Sequence, residues 1–298
     1  MSLAREHCRQ GIADYSPTGH RHGALYGGPR DPEVYCLGYG AWVARALGGY
    51  PDQALAAGNA AIGLARESFD SPRMTAAFVF MARLHQFRRE AEQTRQHAEA
   101  AMKLASEQGF AQRLAAATIL FGWARAVQGV PEEGIETMAR GLEDFRATGA
   151  ADDLPYWLAL LADRRAAAQQ VEAAGHDLDE ALALIRADGP RVWEAELHRL
   201  RGELLSRQSR TYRTPADDVE AAFETALAIA RRQQAKAFEV RAATGLARWR
   251  RDRGRGAEAR ALLELVRAWF TEGFDTPDLI ESDSLLQELG ADSTAHDG

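Results

Sequence analysis

Glutamate, histidine and arginine recur at helical spacing in one segment, and these are the residues best suited to acid–base chemistry. Glu194 and His198 are four positions apart, with Arg201 three further on, so a helix places them on one face. A carboxylate beside an imidazole can exchange protons with a nearby substrate. The same spacing is typical of ion pairs that support a helix surface, and it also suits contact with a ligand or partner. The companion face repeats the pairing pattern with Glu196, Arg199 and Glu203.

Metal and nucleotide chemistry have weaker support. His20 and His22, with Cys36 downstream, are conceivable metal ligands, but zinc sites show tighter Cys/His pairs and a fourth ligand. The sequence contains no Gly-Lys-Ser/Thr, so it has no phosphate-binding P-loop. No Ser/His/Asp arrangement can be assembled either. We therefore predict no catalytic residue, no metal and no cofactor, and expect a protein that is not an enzyme.

Charge is distributed unevenly along the chain. The net charge is -7, which argues against general nucleic-acid affinity because such affinity depends on basic surface. Residues 190–260 carry 16 Arg and Lys against 10 Asp and Glu, a balance of +6, which leaves -13 for the remainder. Arginines near a helix end complement the helix dipole; an anionic partner or a neighbouring domain is the alternative. The densest cluster contains Arg248, Arg250, Arg251, Arg253 and Arg255.

Composition points to a cytoplasmic protein that does not enter a membrane. No apolar run approaches the roughly 20 residues that cross a bilayer, and the N-terminus lacks the regions of a signal peptide. Cys8 and Cys36 are the only cysteines, and unpaired thiols are expected in a reducing compartment.

Proline placement and apolar spacing predict helix throughout. Eight of the ten prolines fall where a helical pattern begins, several after a good N-cap residue such as Thr214 or Thr276. Proline is tolerated at the first helical position because its missing N–H has no partner there. Apolar residues follow at helical intervals, as in Trp193, Leu197, Leu200 and Leu204. No alternating strand pattern competes.

The helices pair into hairpins that repeat about every 40 residues. Small or apolar residues seven positions apart recur in the second helices, as Ala54/Ala61, Gln93/Ala100, Gly134/Gly141, Ala174/Ala181, Val219/Ala226 and Ala259/Val266. Such a period is typical of helical-repeat arrays. We predict an all-α fold, an α-α superhelix (a tetratricopeptide-like solenoid) of about six hairpins. Ala226 is expected at a helix crossing and Ala235 on the surface.

The predicted hairpins set the domain organisation. They are 31–47 with 52–68, 71–87 with 90–108, 110–128 with 131–147, 153–169 with 171–186, 190–208 with 216–233, and 235–253 with 256–271. Residues 1–13 resemble the second helix of a truncated repeat, followed by a loop at 14–30. The solenoid is expected over 31–291, with a capping helix near 277–289 and a disordered tail at 292–298. The chain is therefore expected to be part of a larger protein.

Three runs carry a resemblance to a known family. They are Ala82–Phe87 (ARLHQF), Trp193–Arg199 (WEAELHR) and Trp269–Leu279 (WFTEGFDTPDL). Together they resemble the tetratricopeptide-like C-terminal region of large bacterial signalling proteins, in which a class III adenylate/guanylate cyclase domain and an ATPase module precede the helical array. That array is similar in kind to the sensor region of maltose-regulon-type activators. The resemblance implies that cyclase and ATPase lie upstream, and it transfers no catalytic residue to this chain.

Function is expected to reside on the first helices of the hairpins. Successive first helices stack side by side in such arrays and line a concave surface. We expect a groove for a partner or ligand, with Arg83 and Arg199 tolerant of substitution. The residues assigned to it are Arg83, His85, Gln86, Tyr156, Trp193, Glu196 and Arg199.

The sequence leaves the partner open. The first hypothesis is a protein-binding module that regulates a signalling protein, either through ATPase and cyclase modules of the same polypeptide or through a separate protein. The alternative is the effector-binding sensor region of an ATP-dependent transcriptional regulator, with a small molecule in the groove.

Overall fold

The computed structural model describes residues 6–7, 10–11, 32–42, 47–67, 71–187, 189–209 and 215–296. Within these ranges the secondary structure is helical, with thirteen α-helices and no strand. The predicted all-α helical-repeat fold is therefore confirmed. The chain divides into two compact units, Met1–Ala151 and Asp152–Gly298. Most of the expected helix at 1–13, the expected loop at 14–30 and both His20 and His22 lie outside the described residues.

The first unit contains three described hairpins, each made of two helices that are neighbours in sequence and in space. The first helices contact one another across the hairpins: α1 contacts α3, and α3 contacts α5. The helices are α1 (Pro32–Tyr39), α2 (Pro51–Glu67), α3 (Ser71–Phe87), α4 (Ala91–Gln108), α5 (Ala111–Val127) and α6 (Pro131–Ala147).

The second unit repeats this plan and adds a final helix. A short 3-10 turn, Arg191–Trp193, leads into its second hairpin. The last helix contacts both helices of the hairpin before it, which is the position of a further first helix. The helices are α7 (Leu154–Ala167), α8 (Val171–Arg186), α9 (Glu194–Ser209), α10 (Ala216–Gln233), α11 (Lys236–Arg251), α12 (Gly256–Arg267) and α13 (Pro277–His296).

Helix starts and ends follow local chemistry closely. Pro51, Pro131 and Pro277 are the first residues of their helices, as expected for a residue that lacks an N–H. Most predicted limits agree with the structure within a few residues. The exceptions are α1, which ends at Tyr39 where a limit of 47 is predicted, and α13, which continues to His296. Residues 292–296 are therefore helical where a disordered tail is predicted. None of the described helices combines the length and apolar character that a bilayer span requires.

The turns repeat with the same period as the helices. One residue with positive φ follows the first helix of most hairpins: Gly49, Arg89, Gly129, Gln169 and Gly254. At Gln169, the N–H of the next residue, Gln170, donates to the carbonyl of Arg165 at 2.9 Å, which is the bond that defines a Schellman motif. The first four of these residues are 40 positions apart and the fifth lies 85 positions after the fourth, with glycine at three of the five positions.

Small residues allow the two helices of a hairpin to approach closely. A Cβ atom built on Gly122 of α5 would lie 2.7 Å from the carbonyl oxygen of Gly134 on α6, too close for any side chain. In the second unit, Gly202 on α9 and Gly245 on α11 both lie against the Phe223 ring of α10. These contacts confirm that small residues mark the hairpin crossings.

The register of one predicted pair and the exposure of one alanine are wrong. In α4 the buried pair with a seven-residue spacing that fits the repeat is Thr94 and Ala101, one position after the predicted Gln93 and Ala100. With that correction the first members of the six pairs are separated by 40, 40, 40, 45 and 40 residues. Ala235 is fully buried rather than exposed, because it follows the left-handed residue Gln234 and packs back on α10, as Schellman motifs do.

Enlarging a crossing residue tests this register. Ala226 is fully buried in α10, and Ala226→Leu forces extra carbon atoms into a closely packed contact. We expect a loss of about 1–3 kcal/mol in unfolding free energy. Ala228→Leu, at an exposed position of the same helix, is the control. Urea denaturation of both variants gives the difference, and equal midpoints would show that the crossing is misplaced.

A second test addresses the turns. Gln169 has a φ of 63°, which costs a residue with a Cβ roughly 1 kcal/mol relative to glycine. Gln169→Gly is expected to raise the unfolding free energy by up to about 1 kcal/mol. Ala228→Gly, at an exposed position inside α10, is expected to lower it by a similar amount. The turn assignment fails if Gln169→Gly is as destabilising as the helical control.

Candidate functional site

The three groove residues predicted on α3 do not line an open surface. Arg83, His85 and Gln86 are all buried, because α3 is surrounded by α1, α2, α4 and α5. The Arg83 guanidinium lies 5.0 Å from the ring centre of Trp42. His85 Nδ1 is 2.5 Å from Glu90 Oε2 in the turn that follows the helix. These polar side chains therefore belong to the interior of the first unit.

The predicted aromatic groove residues of the second unit are also interior. Tyr156 on α7 stacks on Trp193 with ring centres 4.5 Å apart, and Trp193 meets the edge of Phe238 on α11 at 5.5 Å. All three rings are buried. They join α7, the turn before α9 and α11, so they act as packing residues and not as open contact points.

Glu196 and Arg199 take part in a chain of ion pairs across three first helices. Arg199 donates to both carboxylate oxygens of Glu196, at 2.7 and 2.8 Å, and also pairs with Glu203. Arg241 on α11 lies 3.5 Å from Glu196 and 2.7 Å from Asp278 on α13. The local pairing predicted for Arg199 is therefore confirmed, and the network extends beyond its own helix.

Burial and charge act in opposite directions on these arginines. Burial lowers the pKa of Arg199, but the carboxylates of Glu196 and Glu203 outweigh it and hold that pKa well above its ordinary value. Burial likewise lowers the pKa of Arg241, and Asp278 and Glu196 reverse the sign. Both guanidinium groups are permanently charged, and each needs its carboxylates to remain in the interior.

One face of the second unit keeps its charges partly exposed. Asp163, Glu203, Arg248 and Glu288 occupy the same repeat position on α7, α9, α11 and α13, at separations of 40, 45 and 40 residues. Their side chains are 26%, 30%, 44% and 57% exposed in that order. In the first unit, the corresponding Arg83 and Trp123 are buried. We call these four residues the charged row.

Each member of the charged row has an oppositely charged neighbour. Asp163 pairs with Arg164, Glu203 with Arg199, and Glu288 with Arg251. Arg248 Nη2 is 3.1 Å from Glu281 Oε2 on α13. The row therefore presents paired charges of both signs on rigid helices, a pattern that can exchange salt bridges with a partner without leaving a buried charge.

The arginine cluster at 248–255 is largely neutralised inside the second unit. Arg250 pairs with Glu220 and Glu224 on α10, and Arg255 pairs with Glu220 and Glu258. Arg251 bonds Asp252 and Glu288. Arg253 stacks on Trp249, 3.0 Å from its ring centre. These pairs account for the charge without an anionic partner, and that alternative remains a prediction.

Glu194 and His198 do not form a direct pair. The Glu194 carboxylate lies 3.8 Å from Arg232 on α10 and 4.0 Å from Arg191. Burial lowers the pKa of His198, with Glu194 opposing the shift and Arg201 and Arg186 adding to it. Arg201 pairs with Asp179 on α8. The described residues include no group of three or more His, Cys, Asp or Glu placed to hold a metal.

Comparisons with known proteins bear on the fold alone. No protein-family model matches the chain, and no curated protein matches its sequence significantly. A solved structure, the crystal structure of BtubC (BKLC) from P. vanneervenii, aligns with a TM-score of 0.52 at 19% sequence identity. The alignment covers 73% of this chain and 90% of that one. The likeness shows that the fold of this chain is similar to that of BtubC.

Removing the central guanidinium tests the ion-pair network. Arg199→Ala takes a hydrogen-bonded cation away from the buried carboxylate of Glu196 and from the partly exposed carboxylate of Glu203, so we expect a loss on the order of 3 kcal/mol. This corrects the expectation that Arg199 tolerates substitution. The control is Arg207→Ala, at an exposed position of the same helix, which should change stability by less than about 0.5 kcal/mol. Denaturant titration compares the two, and an Arg199→Ala loss as small as the control would contradict the network.

Proposed function

We propose that this protein is a non-catalytic helical-repeat scaffold that binds a protein partner or a neighbouring domain through the charged row of its second unit. The observation that carries the proposal is the equal repeat position of Asp163, Glu203, Arg248 and Glu288 combined with their partial exposure. Most other residues in the middle of α7 and α11 are buried. The row is therefore where these stacked helices offer polar contacts.

Rigidity supports the same conclusion. The ion pairs of Arg241 tie α9, α11 and α13 together, and the Phe223 ring locks α9 to α11 through Gly202 and Gly245. A surface carried by fixed helices loses little conformational entropy on binding. Mixed charges on such a surface favour specificity and correct register over raw affinity.

The finer proposal concerns the biological setting. The resemblance of Ala82–Phe87, Trp193–Arg199 and Trp269–Leu279 to cyclase–ATPase signalling proteins supports a regulatory scaffold in such a protein, with an ATPase or cyclase module as the partner. A cytoplasmic location belongs to the same proposal. A small effector held by the second unit is the competing class, and a thermal-shift screen with candidate metabolites distinguishes the two.

Charge reversal with a compensating swap tests the proposed surface. Arg248→Glu changes the presented charge and breaks the pair with Glu281; Arg248→Glu combined with Glu281→Arg restores the pair in reversed orientation. Because an exposed pair contributes about 0–1 kcal/mol, both variants should fold. If a partner contacts the row, both should weaken binding by about tenfold, equivalent to 1.4 kcal/mol.

The measurement compares proteins captured from the encoding organism by immobilised wild type and both variants. Calorimetry then gives the affinity for the protein that depends most on Arg248. Glu224→Arg, on the exposed face of α10, is the control for a general change of charge. If every captured protein binds the wild type and both variants equally, the partner surface lies elsewhere.

A further inference from the structure

Two histidines stack between the helices of the α3–α4 hairpin. The rings of His85 on α3 and His97 on α4 are 5.2 Å apart at their centres and only 7° from parallel. Phe78 of α3 also lies near His97, with ring centres 6.0 Å apart. This contact lies one turn from the buried Thr94 and Ala101, where the two helices meet. The imidazole pair is therefore part of the packing that closes the hairpin.

The two rings have different electrostatic surroundings. His85 Nδ1 contacts a carboxylate oxygen of Glu90 at 2.5 Å, so a proton on His85 has a negative partner. That carboxylate is shared, because Arg88 Nε donates to its other oxygen at 2.8 Å. Burial raises the pKa of Glu90, but these two bonds outweigh it and lower the pKa overall. Glu90 is therefore negatively charged in neutral solution and is already bonded to both His85 and Arg88.

His97 has only positive groups acting on it among the described residues. The charges that reach it come from His85 on α3 and Arg66 on α2. Arg88 is occupied by Glu90 and lies 3.8 Å from Asp52 of α2. Burial, followed by His85 and Arg66, lowers the pKa of His97 to about 4. Among the described residues, no carboxylate balances a proton on His97. The positive charge of that proton also repels the stacked ring of His85.

We propose that the stacked His85–His97 pair is a proton-sensitive joint, which holds α3 against α4 when His97 is neutral and loosens this hairpin when His97 is protonated. The inference is independent of the charged row in the second unit. His176 on α8 serves as an internal comparison, because its side chain is exposed and is not packed between two helices.

The pH dependence follows from the direction of the shift. An unfolded histidine titrates near 6.5, whereas folded His97 titrates near 4. Its contribution to stability is therefore present above pH 6.5 and is lost as the pH falls from 6.5 to 4, because the unfolded state binds the proton more readily. Carboxylates also begin to titrate in this range, so a matched variant is needed to isolate the histidine.

The experiment compares thermal unfolding of the full chain at pH 7 and pH 4.5 for wild type, His97→Gln and His176→Gln. The wild type and His176→Gln should lose at least about 5 °C more than His97→Gln between the two pH values. Equal losses in all three proteins would overturn the proposal.

Nuclear magnetic resonance provides a second test, which applies even if His97→Gln folds poorly. The pKa of His97, read from its ring proton in the wild type, should lie well below 6.5 and should rise in His85→Gln, where the neighbouring cation is absent. Amide exchange should increase first in α3 and α4 as the wild type is acidified. A wild-type pKa of His97 near 6.5, or a value unmoved by His85→Gln, would overturn the joint.

Discussion

Close approach of paired helices at small residues is the constraint on which the rest of the structure depends. Gly122 and Gly134 leave no room for a Cβ at the α5–α6 crossing, and Thr94/Ala101 and Val219/Ala226 occupy the corresponding position elsewhere. Since each crossing fixes one hairpin, an interval of 40 residues, lengthened once to 45, makes successive hairpins of a unit stack in the same way. The charged row exists because this stacking places equivalent positions of successive helices side by side.

Much of this could be predicted from the sequence because the strongest signals are local. Pro51, Pro131 and Pro277 mark helix starts by a property of proline alone. The register of α4 is harder to predict, because Gln93/Ala100 and Thr94/Ala101 have the same seven-residue spacing. Only the packing of the helices shows that Thr94 and Ala101 are the buried pair. Ala235 is buried because Gln234, the residue before it, has a positive φ. Glutamine rarely adopts this conformation, so its presence in the sequence does not predict it. The glycines at 49, 129 and 254 follow the repeat period and mark turns with a positive φ, which is a further signal in the sequence itself.

The candidate site was less predictable, because polar residues on a first helix can either face solvent or be buried by the neighbouring helices. Arg83 and His85 match the pattern of surface contacts, yet α1 covers α3, so both are interior. The sequence identified the Arg199 pairing within α9, but the ion pairs of Arg241 with Glu196 and Asp278 join residues 45 and 37 positions apart, respectively. Such long-range pairing depends on the stacking of hairpins. The charged row could be predicted from the 40-residue period, provided that the single 45-residue interval is assigned between α9 and α11. Its members are Asp163, Glu203, Arg248 and Glu288.

Site-specific photocrosslinking tests most directly whether the charged row is the partner surface. A photoreactive residue is placed at Glu288, the most exposed member of the row, or at Ala228 on the exposed face of α10. Each labelled protein is irradiated in an extract of the encoding organism, and crosslinked proteins are identified by mass spectrometry. The account predicts a specific adduct from position 288 that is missing from position 228. An adduct with the same protein from position 228 alone would contradict it.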